Sequence, residues 1–488
     1  MNALRLRSGW LLLALLAGCA VGPDFQPPSP PAVDRYTPGP APAASSMPGL
    51  VDAQAVPAEW WKLYGSAELD ALVRAALAGS PTLDQARAKL VQTQELRAAR
   101  SGSADSPRVD AGFGAVRQRI DPATFGFPQA PNPGPFNVFS LGANVAYDFD
   151  VFGGTGRDLE ALGAEVDVQR YALEAARLVL AGKVVVTAIR RAALDAQIDA
   201  VDAMLSAQRR QLAIGEARLA AGGVSALELQ HQRALLAQAE AALPPLQAQR
   251  AQAGHLLAVL AGRAPAEPAL PAPRLADLSL PSTLPLRLPS ELVRQRPDIR
   301  ASEALLHKAS ANIGLATADL YPKFIVSGSF SSAQLELVDV LGNGINVWSI
   351  GLNLLQPLFR GGELKGRQRA AVAAYEQAAA VYRQSVLHGL QNVADALRAL
   401  EGDARAYALR SEQVARADEA RHITRARFDA GGVSQLELLD AERQRSQARV
   451  DWVQAQASRC SDVAVLLQAM GGGGLESALQ ATAGANPP

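Results

Sequence analysis

The chain is poor in cysteine, in aromatic residues and in long apolar runs, and each shortage excludes something. Its two cysteines, Cys19 and Cys460, leave little scope for the disulfides that staple small secreted domains. Aromatic residues make up 5% of the 488 residues although 49% are hydrophobic, a composition typical of Ala- and Leu-rich helices rather than bulky cores. Basic and acidic residues balance at 47 each, so nothing indicates a polyanionic partner such as nucleic acid.

The motifs of common enzyme classes are missing as well. The sequence contains no GxxxxGK[ST], GxGxxG, GxSxG or HExxH pattern, the signatures of nucleotide binding, nucleophilic hydrolysis and zinc hydrolysis. Its five histidines are scattered singly, and no Cys/His cluster has metal-ligand spacing. We therefore expect neither an enzymatic activity nor a metal or dissociable cofactor.

The amino terminus has the order of charges and apolar residues that directs export. Arg5 and Arg7 precede an apolar run from Trp10 to Ala17, which ends shortly before Cys19. This succession is typical of a secretory signal, and the run is too short to span a bilayer as a helix. We therefore predict that residues 1–18 are a signal peptide.

The sequence around Cys19 is similar to the lipobox of bacterial lipoproteins. Leu16, Ala17 and Gly18 directly precede the cysteine. The resemblance implies cleavage before Cys19, a diacylglycerol on its sulfur and an acyl chain on its new amino group. Ala20, rather than aspartate, implies sorting to the outer membrane. An ordinary signal peptide with an incidental cysteine is the alternative.

Most of the remaining chain is duplicated. Residues 221–229 read AGGVSALEL, and 209 positions further on residues 430–438 read AGGVSQLEL. At the same offset, the sequence FSLG from Phe139 corresponds to WSIG from Trp348. A repeat of this length that occurs only twice favours one pseudo-symmetric domain over a solenoid.

Proline-free stretches predict long helices in both copies. Residues 154–221 lack proline and consist largely of good helix formers, so at about 1.5 Å per residue they predict a helix of about 100 Å. Gly222-Gly223 breaks this helix, and residues 224–260 return antiparallel, with an interruption at Pro244-Pro245. No proline occurs from 358 to 486, where apolar residues recur with the period of a coiled coil. Shorter helices are expected around 60–99 and 297–320.

Alternating apolar and polar residues predict two strands in each copy. The clearest alternation runs from Phe139 to Asp150; the others cover 109–115, 324–331 and 348–354. Each approaches the length that an outer-membrane strand needs. Four strands cannot close a membrane barrel, because the smallest barrels have about eight and an open edge leaves backbone groups unpaired in lipid. Several chains must therefore pool their strands.

Composition also suggests where the domains begin and end, because Pro-rich stretches separate the helical and strand-like parts. The predicted organisation is a signal peptide (1–18), a lipidated Pro-rich tether (19–58), a first structural repeat (59–262), a Pro-rich linker (263–288), a second structural repeat (289–472) and a flexible tail (473–488).

Four separated segments carry a resemblance to a known family. They read CAVGPDFQPP from Cys19, EWWKLYGSAELDALV from Glu59, LPSELVRQRPDIRASEALL from Leu288 and GGVSQLELLDAERQR from Gly431. In these segments the chain resembles the TolC/OprM-like outer-membrane efflux lipoproteins. The resemblance implies a mixed α and β membrane protein: a homotrimer with a 12-stranded outer-membrane β-barrel, four strands per chain, continuous with a long periplasmic α-helical barrel.

The same resemblance implies a function and partners. The trimer would be the exit duct of a tripartite efflux pump, coupled through a periplasmic adaptor, or membrane fusion protein, to an inner-membrane RND-type transporter. Its strands would meet outer-membrane lipid on one face, at Leu141, Val145, Ile350 and Leu352. Ser140, Asn144, Asp148, Ser349 and Asn353 would face a wet lumen.

The two AGGVS turns fall at the tips of the long hairpins, where the family's adaptors dock. The glycine pairs also fit a tight reversal with positive φ and no docking role. The candidate docking residues are Gly222, Gly223, Val224, Ser225, Gly431, Gly432, Val433 and Ser434, with Arg218 and Arg427 beside them.

A narrow aperture just after the second tip is a further property of the family. Leu436 and Asp440 match the leucine and aspartate that form it, and Glu437 is a possible addition. Three carboxylates held near a threefold axis would repel one another and attract cations. A solvated helix residue is the alternative for Asp440. His231 holds the equivalent position in the first copy, so a six-acid ring is not supported.

The sequence therefore favours a passive outer-membrane duct for drugs or other small molecules. Two alternatives stay open: the outer-membrane duct of a type I protein-secretion system, and a lipid-anchored structural coiled coil without a pore. The alternating strands disfavour the second alternative.

Overall fold

The computed structural model describes residues 20–38, 47–52, 56–268, 270–340, 342 and 345–474. The predicted signal peptide, Cys19 and residues 475–488 of the predicted tail lie outside these ranges. The helices described are α1 (Ala67–Gly79), α2 (Pro81–Asp105), α3 (Gly154–Ala220), α4 (Ala226–Leu260), α5 (Pro289–Gln295), α6 (Pro297–Ala318), α7 (Glu363–Asp429) and α8 (Gln435–Ala469). Over the ranges given above, no helix combines the length and the apolar character that crossing a bilayer requires.

The four long helices repeat the duplication in their lengths. α3 and α7 each span 67 residues, and α4 and α8 each span 35. Their helix-favouring composition explains these extents, and the prediction of two long hairpins is confirmed. Along α7 the apolar stripe is buried at Val386, Val393 and Leu400, as expected for positions that face neighbouring helices.

The predicted interruption at Pro244-Pro245 is wrong. α4 continues through both prolines, although each removes a helical N–H donor. Leu243 and Leu246 flank the pair and pack against a cluster that contains Val201 and Leu205 of α3. Because this apolar contact lies on both sides of the prolines, tertiary packing holds the helix where its own hydrogen bonds are missing.

The strands form two sheets. They are β1 (Gly49–Asp52), β2 (Arg108–Arg119), β3 (Pro135–Phe149), β4 (Thr283–Leu286), β5 (Lys323–Gln334) and β6 (Ile345–Leu355). The larger sheet is antiparallel in the order β2-β3-β5-β6, so β2 and β6 are its outer strands. The four predicted strands are thus confirmed, each longer at one or both ends than its alternation indicated.

The register of this sheet sorts its side chains into an apolar and a polar face. Ala143 lies opposite Phe330, which lies opposite Trp348, while Asn144 lies opposite Ser329 on the other face. The predicted alternation is therefore continuous across all four strands. The apolar face also carries Val109, Phe113, Leu141, Val145, Val326, Ile350 and Leu352, and the polar face carries Ser140, Asp148, Ser327, Ser349 and Asn353.

The proline-rich segments make more ordered contacts than their composition predicted. β1, in the predicted tether, pairs in parallel with β4, in the predicted linker, with Gly49 opposite Thr283. The Tyr36 hydroxyl donates a hydrogen bond to the Arg287 carbonyl at 2.8 Å. The tether is therefore packed where it is described, because its few aromatic residues and free backbone groups find partners.

The chain divides into two compact units. Among the described residues, the first comprises those within 20–28, 90–168 and 302–382, and the second those within 29–89, 169–301 and 383–474. The first contains the larger sheet and a buried cluster of Leu306, Ala309 and Ala378. In the second, Trp60 and Tyr64 are buried, and the Tyr64 hydroxyl donates to the Cys460 carbonyl at 2.6 Å.

Asp462 on α8 makes the stability of the second unit depend on pH. Burial and, next, the neighbouring carboxyl of Asp403 raise the pKa of Asp462 to about 7 from an ordinary 3.8. Protonation therefore favours the folded state. The resulting stability is fully present below about pH 3.8 and is lost as the pH rises through about 7. We expect Asp462→Asn to raise the unfolding temperature at pH 8 and to change it little at pH 4, measured by circular dichroism.

The matched control is Asp451→Asn on the same helix. Asp451 accepts a hydrogen bond from Arg410 at 3.0 Å, so removing its charge should give no gain at pH 8. An equal gain in both variants would contradict the assignment to Asp462.

Candidate functional site

Each long hairpin reverses through the same backbone motif. At the first turn Gly222 has a φ of 75°, and its N–H donates to the Leu219 carbonyl at 3.0 Å. The N–H of Gly223 donates to the Arg218 carbonyl at 2.8 Å. This pair of hydrogen bonds, with a glycine in the left-handed conformation, is a Schellman ending, which satisfies the last carbonyls of the helix.

The second turn copies the first. Gly431 has a φ of 74° and donates to the Phe428 carbonyl at 2.9 Å, while Gly432 donates to the Arg427 carbonyl at 2.8 Å. Only the first glycine of each pair thus uses the left-handed region. The prediction of positive φ is confirmed for Gly222 and Gly431, whereas Gly223 and Gly432 do not have a positive φ.

The serines of both turns begin the returning helices. Ser225 accepts a hydrogen bond from the Glu228 N–H at 3.2 Å, and Ser434 accepts one from the Glu437 N–H at 3.2 Å. Such side-chain caps satisfy one of the free N–H groups at a helix start. Val224 and Val433 are half-buried. The geometry of the turn therefore accounts for most of the AGGVS sequence. Any docking partner would have to contact the side chains that the turn leaves exposed.

The turns expose a leucine at equivalent positions. Leu227, the second residue of α4, is 81% exposed, and Leu436, the second residue of α8, is 46% exposed. In contrast, Leu229 and its equivalent Leu438 are buried. Leu436 was among the predicted site residues and Leu227 was not, although the 209-residue offset between the copies relates the two.

Asp440 lies one helical turn beyond Leu436 and is exposed. Its carboxylate accepts hydrogen bonds from Arg443 Nη2 at 2.8 Å and from Gln444 Nε2 at 2.6 Å. Arg443, the partner of this carboxylate on the same helix, was not among the residues predicted from the sequence. An exposed pair of this kind contributes little to stability, but it orients the carboxylate and offsets part of its charge. Glu437 is exposed on the same turn.

Two contacts join the hairpins close to their turns. The Arg218 guanidinium lies 5.6 Å from the centre of the Phe428 ring, a cation–π distance. The buried amide of Gln435 donates to Gln211 Oε1 at 3.4 Å. Arg427, the counterpart of Arg218, is exposed. Both flanking arginines are exposed, and they differ in that Arg218 also lies over an aromatic ring of the other hairpin.

These features define a class of protein. One chain supplies a sheet with an apolar and a polar face, two helical hairpins of matched length, and exposed leucines at both reversals. The Outer membrane efflux protein family profile matches residues 72–263 and 288–472, most of the chain. The chain belongs to this family, and it is the outer-membrane duct of an efflux system.

Characterised relatives resemble the chain over nearly its whole length. The pyoverdine export outer membrane protein OpmQ of Pseudomonas putida is 31% identical over 435 residues, 88% of this chain and 92% of that protein. Outer membrane protein OprJ of Pseudomonas aeruginosa is 29% identical over 95% of both chains. The cation efflux system protein CusC of Escherichia coli is 26% identical over 94% of this chain and 97% of its own.

Solved structures agree with the fold. The outer-membrane channel OprN superposes with a TM-score of 0.81 at 26% identity, covering 94% of this chain and 100% of that one. The outer membrane protein VceC of Vibrio cholerae superposes with a TM-score of 0.76 at 26% identity, covering 86% and 99%.

The different conformations of paired glycines give a test of the turn. Gly431→Ala should lower the unfolding free energy by about 1 kcal/mol, because an L residue is strained at positive φ. Gly432→Ala should cost less, since its Cβ would lie 3.5 Å from the Arg427 carbonyl, an ordinary contact. Thermal unfolding, with hydrogen exchange at residues 425–440, measures both. Equal losses in the two variants would contradict the Schellman assignment.

Proposed function

We propose that three copies of this chain form a channel whose twelve strands close a barrel in the outer membrane. Within the described residues, one chain leaves the outer edges of β2 and β6 unpaired. Membrane barrels need about eight strands or more, and lipid cannot satisfy a free strand edge. Pairing β2 of one copy with β6 of the next satisfies both edges and leaves none open.

The two faces of the sheet support one orientation in the membrane, with the apolar face outward. Ile350, Trp348 and Leu352 are 78%, 69% and 68% exposed in one chain, and all three lie on the apolar face. Exposed apolar patches of this kind mark a membrane or protein contact. The apolar face therefore meets lipid, and the face with Ser140, Asn144 and Asp148 lines the lumen.

The long hairpins then extend into the periplasm and end at the aperture. Leu436 and Asp440 occupy the exposed side of α8 just after the second turn, and a threefold axis brings three copies of each together. The periplasmic adaptor docks at the two turns and shifts the hairpins between a closed and an open packing. The duct is passive, and the inner-membrane RND-type transporter supplies the energy.

The cargo is proposed from the names of relatives. These are named for pyoverdine export, solvent efflux and cation efflux. Small molecules and ions are therefore the favoured cargo of this chain, ahead of the secreted proteins of a type I system.

Conductance in planar bilayers tests both the pore and its aperture. The purified wild-type protein should form cation-preferring channels, and Asp440→Asn should reduce this preference, because three carboxylates attract cations. The reversal potential in a KCl gradient measures it. The matched control is His231→Asn at the equivalent position of the first hairpin, which should leave the preference unchanged.

Two outcomes would count against this proposal. Failure of the purified protein to form channels would contradict the closed twelve-stranded pore. Equal effects of the two substitutions, or no effect of Asp440→Asn, would show that the second hairpin does not supply the narrowest charged ring.

Acylation of Cys19 is the second part of the proposal. Its support is the lipobox-like sequence before Cys19 and Ala20 after it. Intact-mass spectrometry of the purified protein should show a chain that begins at Cys19 and carries three acyl chains, two of them on a diacylglycerol. Cys19→Ser should abolish this addition. An unchanged acyl mass in Cys19→Ser would place the modification elsewhere.

A further inference from the structure

Residues 20–25, with the sequence AVGPDF, belong neither to the strands nor to the hairpins of the proposed duct. They follow Cys19 directly, and composition alone predicted a tether here. They make a set of specific contacts with the junction between β3 and α3 and with α6, all within the first unit. These contacts are polar, apolar and steric.

The polar contacts centre on Arg157, near the start of α3. Its Nη2 donates to Asp24 Oδ1 at 2.7 Å, and its Nε donates to the Val21 carbonyl at 3.4 Å. The Arg157 side chain is 8% exposed, and a buried guanidinium is costly unless its donors are paired. The N–H of Val21 also donates to the Phe152 carbonyl at 3.2 Å. Residues 21–24 therefore help to satisfy a buried charge.

The apolar contact is made by Phe25. Its ring stacks on the His307 imidazole, with centres 4.5 Å apart and planes 14° apart, and it packs against the cluster that contains Leu306. His307 Nε2 lies 2.8 Å from Glu160 Oε1, and Glu160 Oε2 accepts from Arg157 at 2.8 Å. Glu160 thus connects Arg157, which binds Asp24, with His307, which stacks on Phe25.

Glycines occupy the positions at which residues 20–25 and Arg157 lie closest to the neighbouring backbone. A Cβ on Gly22 would lie 2.4 Å from the Gly314 Cα, and a Cβ on Gly153 would lie 2.9 Å from the Ala20 Cα. A Cβ on Gly314, inside α6, would lie 2.8 Å from Arg157 Cγ. Glycine within a helix is ordinarily unfavourable. The close approach of Arg157 and Gly22 explains why Gly314 is nevertheless there.

We propose that Gly153, Arg157, His307 and Gly314 form a seat for residues 20–25, and that this N-terminal seat fixes Ala20, the residue that follows the lipid attachment point, close to the end of β3. The occupant is the chain's own segment, recognised by a carboxylate, an aromatic ring and a glycine. The seat itself depends only on protein contacts, whereas its effect on the anchor rests on the proposed acylation. A seated anchor sets the depth of the strands in the bilayer, which a loose tether cannot do.

Hydrogen exchange of the full-length acylated protein in nanodiscs tests the seat. The peptide covering residues 20–28 should be protected in the wild type, because the Val21 N–H is hydrogen-bonded. Gly314→Ala should make it exchange about tenfold faster or more, since the added methyl displaces Arg157. Arg157→Gln should act in the same direction by removing the charged partner of Asp24.

Gly102→Ala is the matched control, because a Cβ at this helical glycine meets nothing within 4 Å. Gly314→Ala should itself favour helix α6, so faster exchange confined to residues 20–28 cannot come from general unfolding. Free exchange of this peptide in the wild type, or unchanged protection in Gly314→Ala, would overturn the seat.

Two further measurements separate the seat from the anchor. In Cys19→Ser the peptide should remain protected; loss of protection would mean that the acyl chains hold the segment rather than the seat. If mass spectrometry finds the wild type unacylated, the lipid proposal fails while the exchange result still decides the seat.

The effect on depth is read from quenching of Trp348 by brominated lipids, with Trp348→Phe as background. Gly314→Ala should shift or broaden the depth profile. An unchanged profile in a variant whose segment is released would refute the positioning role.

Discussion

The pairing of backbone groups at the sheet edges is the constraint on which the rest of the molecule depends. Water can satisfy a free strand edge, but lipid cannot. β2 and β6 carry 12 and 11 residues, and one chain cannot pair their outer edges. The duplication provides four strands with one consistent apolar face, and in the proposed channel further copies of the chain provide the missing partners. In that proposal the oligomer is a requirement of the sheet rather than an addition to it.

Much of this fold could be predicted from the sequence, because the signals are local. Alternation located the strands from Phe139 and Trp348, and the absence of proline located α3 and α7. Pro244-Pro245 misled the prediction, since the contact of Leu243 and Leu246 with α3 lies far away in sequence. The contacts of residues 20–25 were missed for the same reason, because a proline-rich composition does not reveal a buried arginine in another element.

The candidate site was predictable in its backbone and less so in its side chains. The Gly-Gly-Val-Ser spacing indicates a helix reversal with a capped restart, and both turns have this geometry. The partners of Asp440 on its own helix and the contact of Arg218 with Phe428 depend on rotamers and on the other hairpin. The copies therefore share their turns but differ in charge: Asp440 in one and His231 in the other. Duplication preserved the turn and left the surface beside it free to diverge.

The matched lengths of the hairpins have an evolutionary consequence. α3 and α7 have 67 residues each, and α4 and α8 have 35 each. An insertion in one copy alone would rotate its exposed leucine by about 100° per residue, because a helix has about 3.6 residues per turn. It would also lengthen that hairpin, so that the two turns would no longer lie at the same distance along their hairpins. Lineages that descend from this duplication should therefore gain or lose helical residues in both copies together, while the loops between strands vary freely.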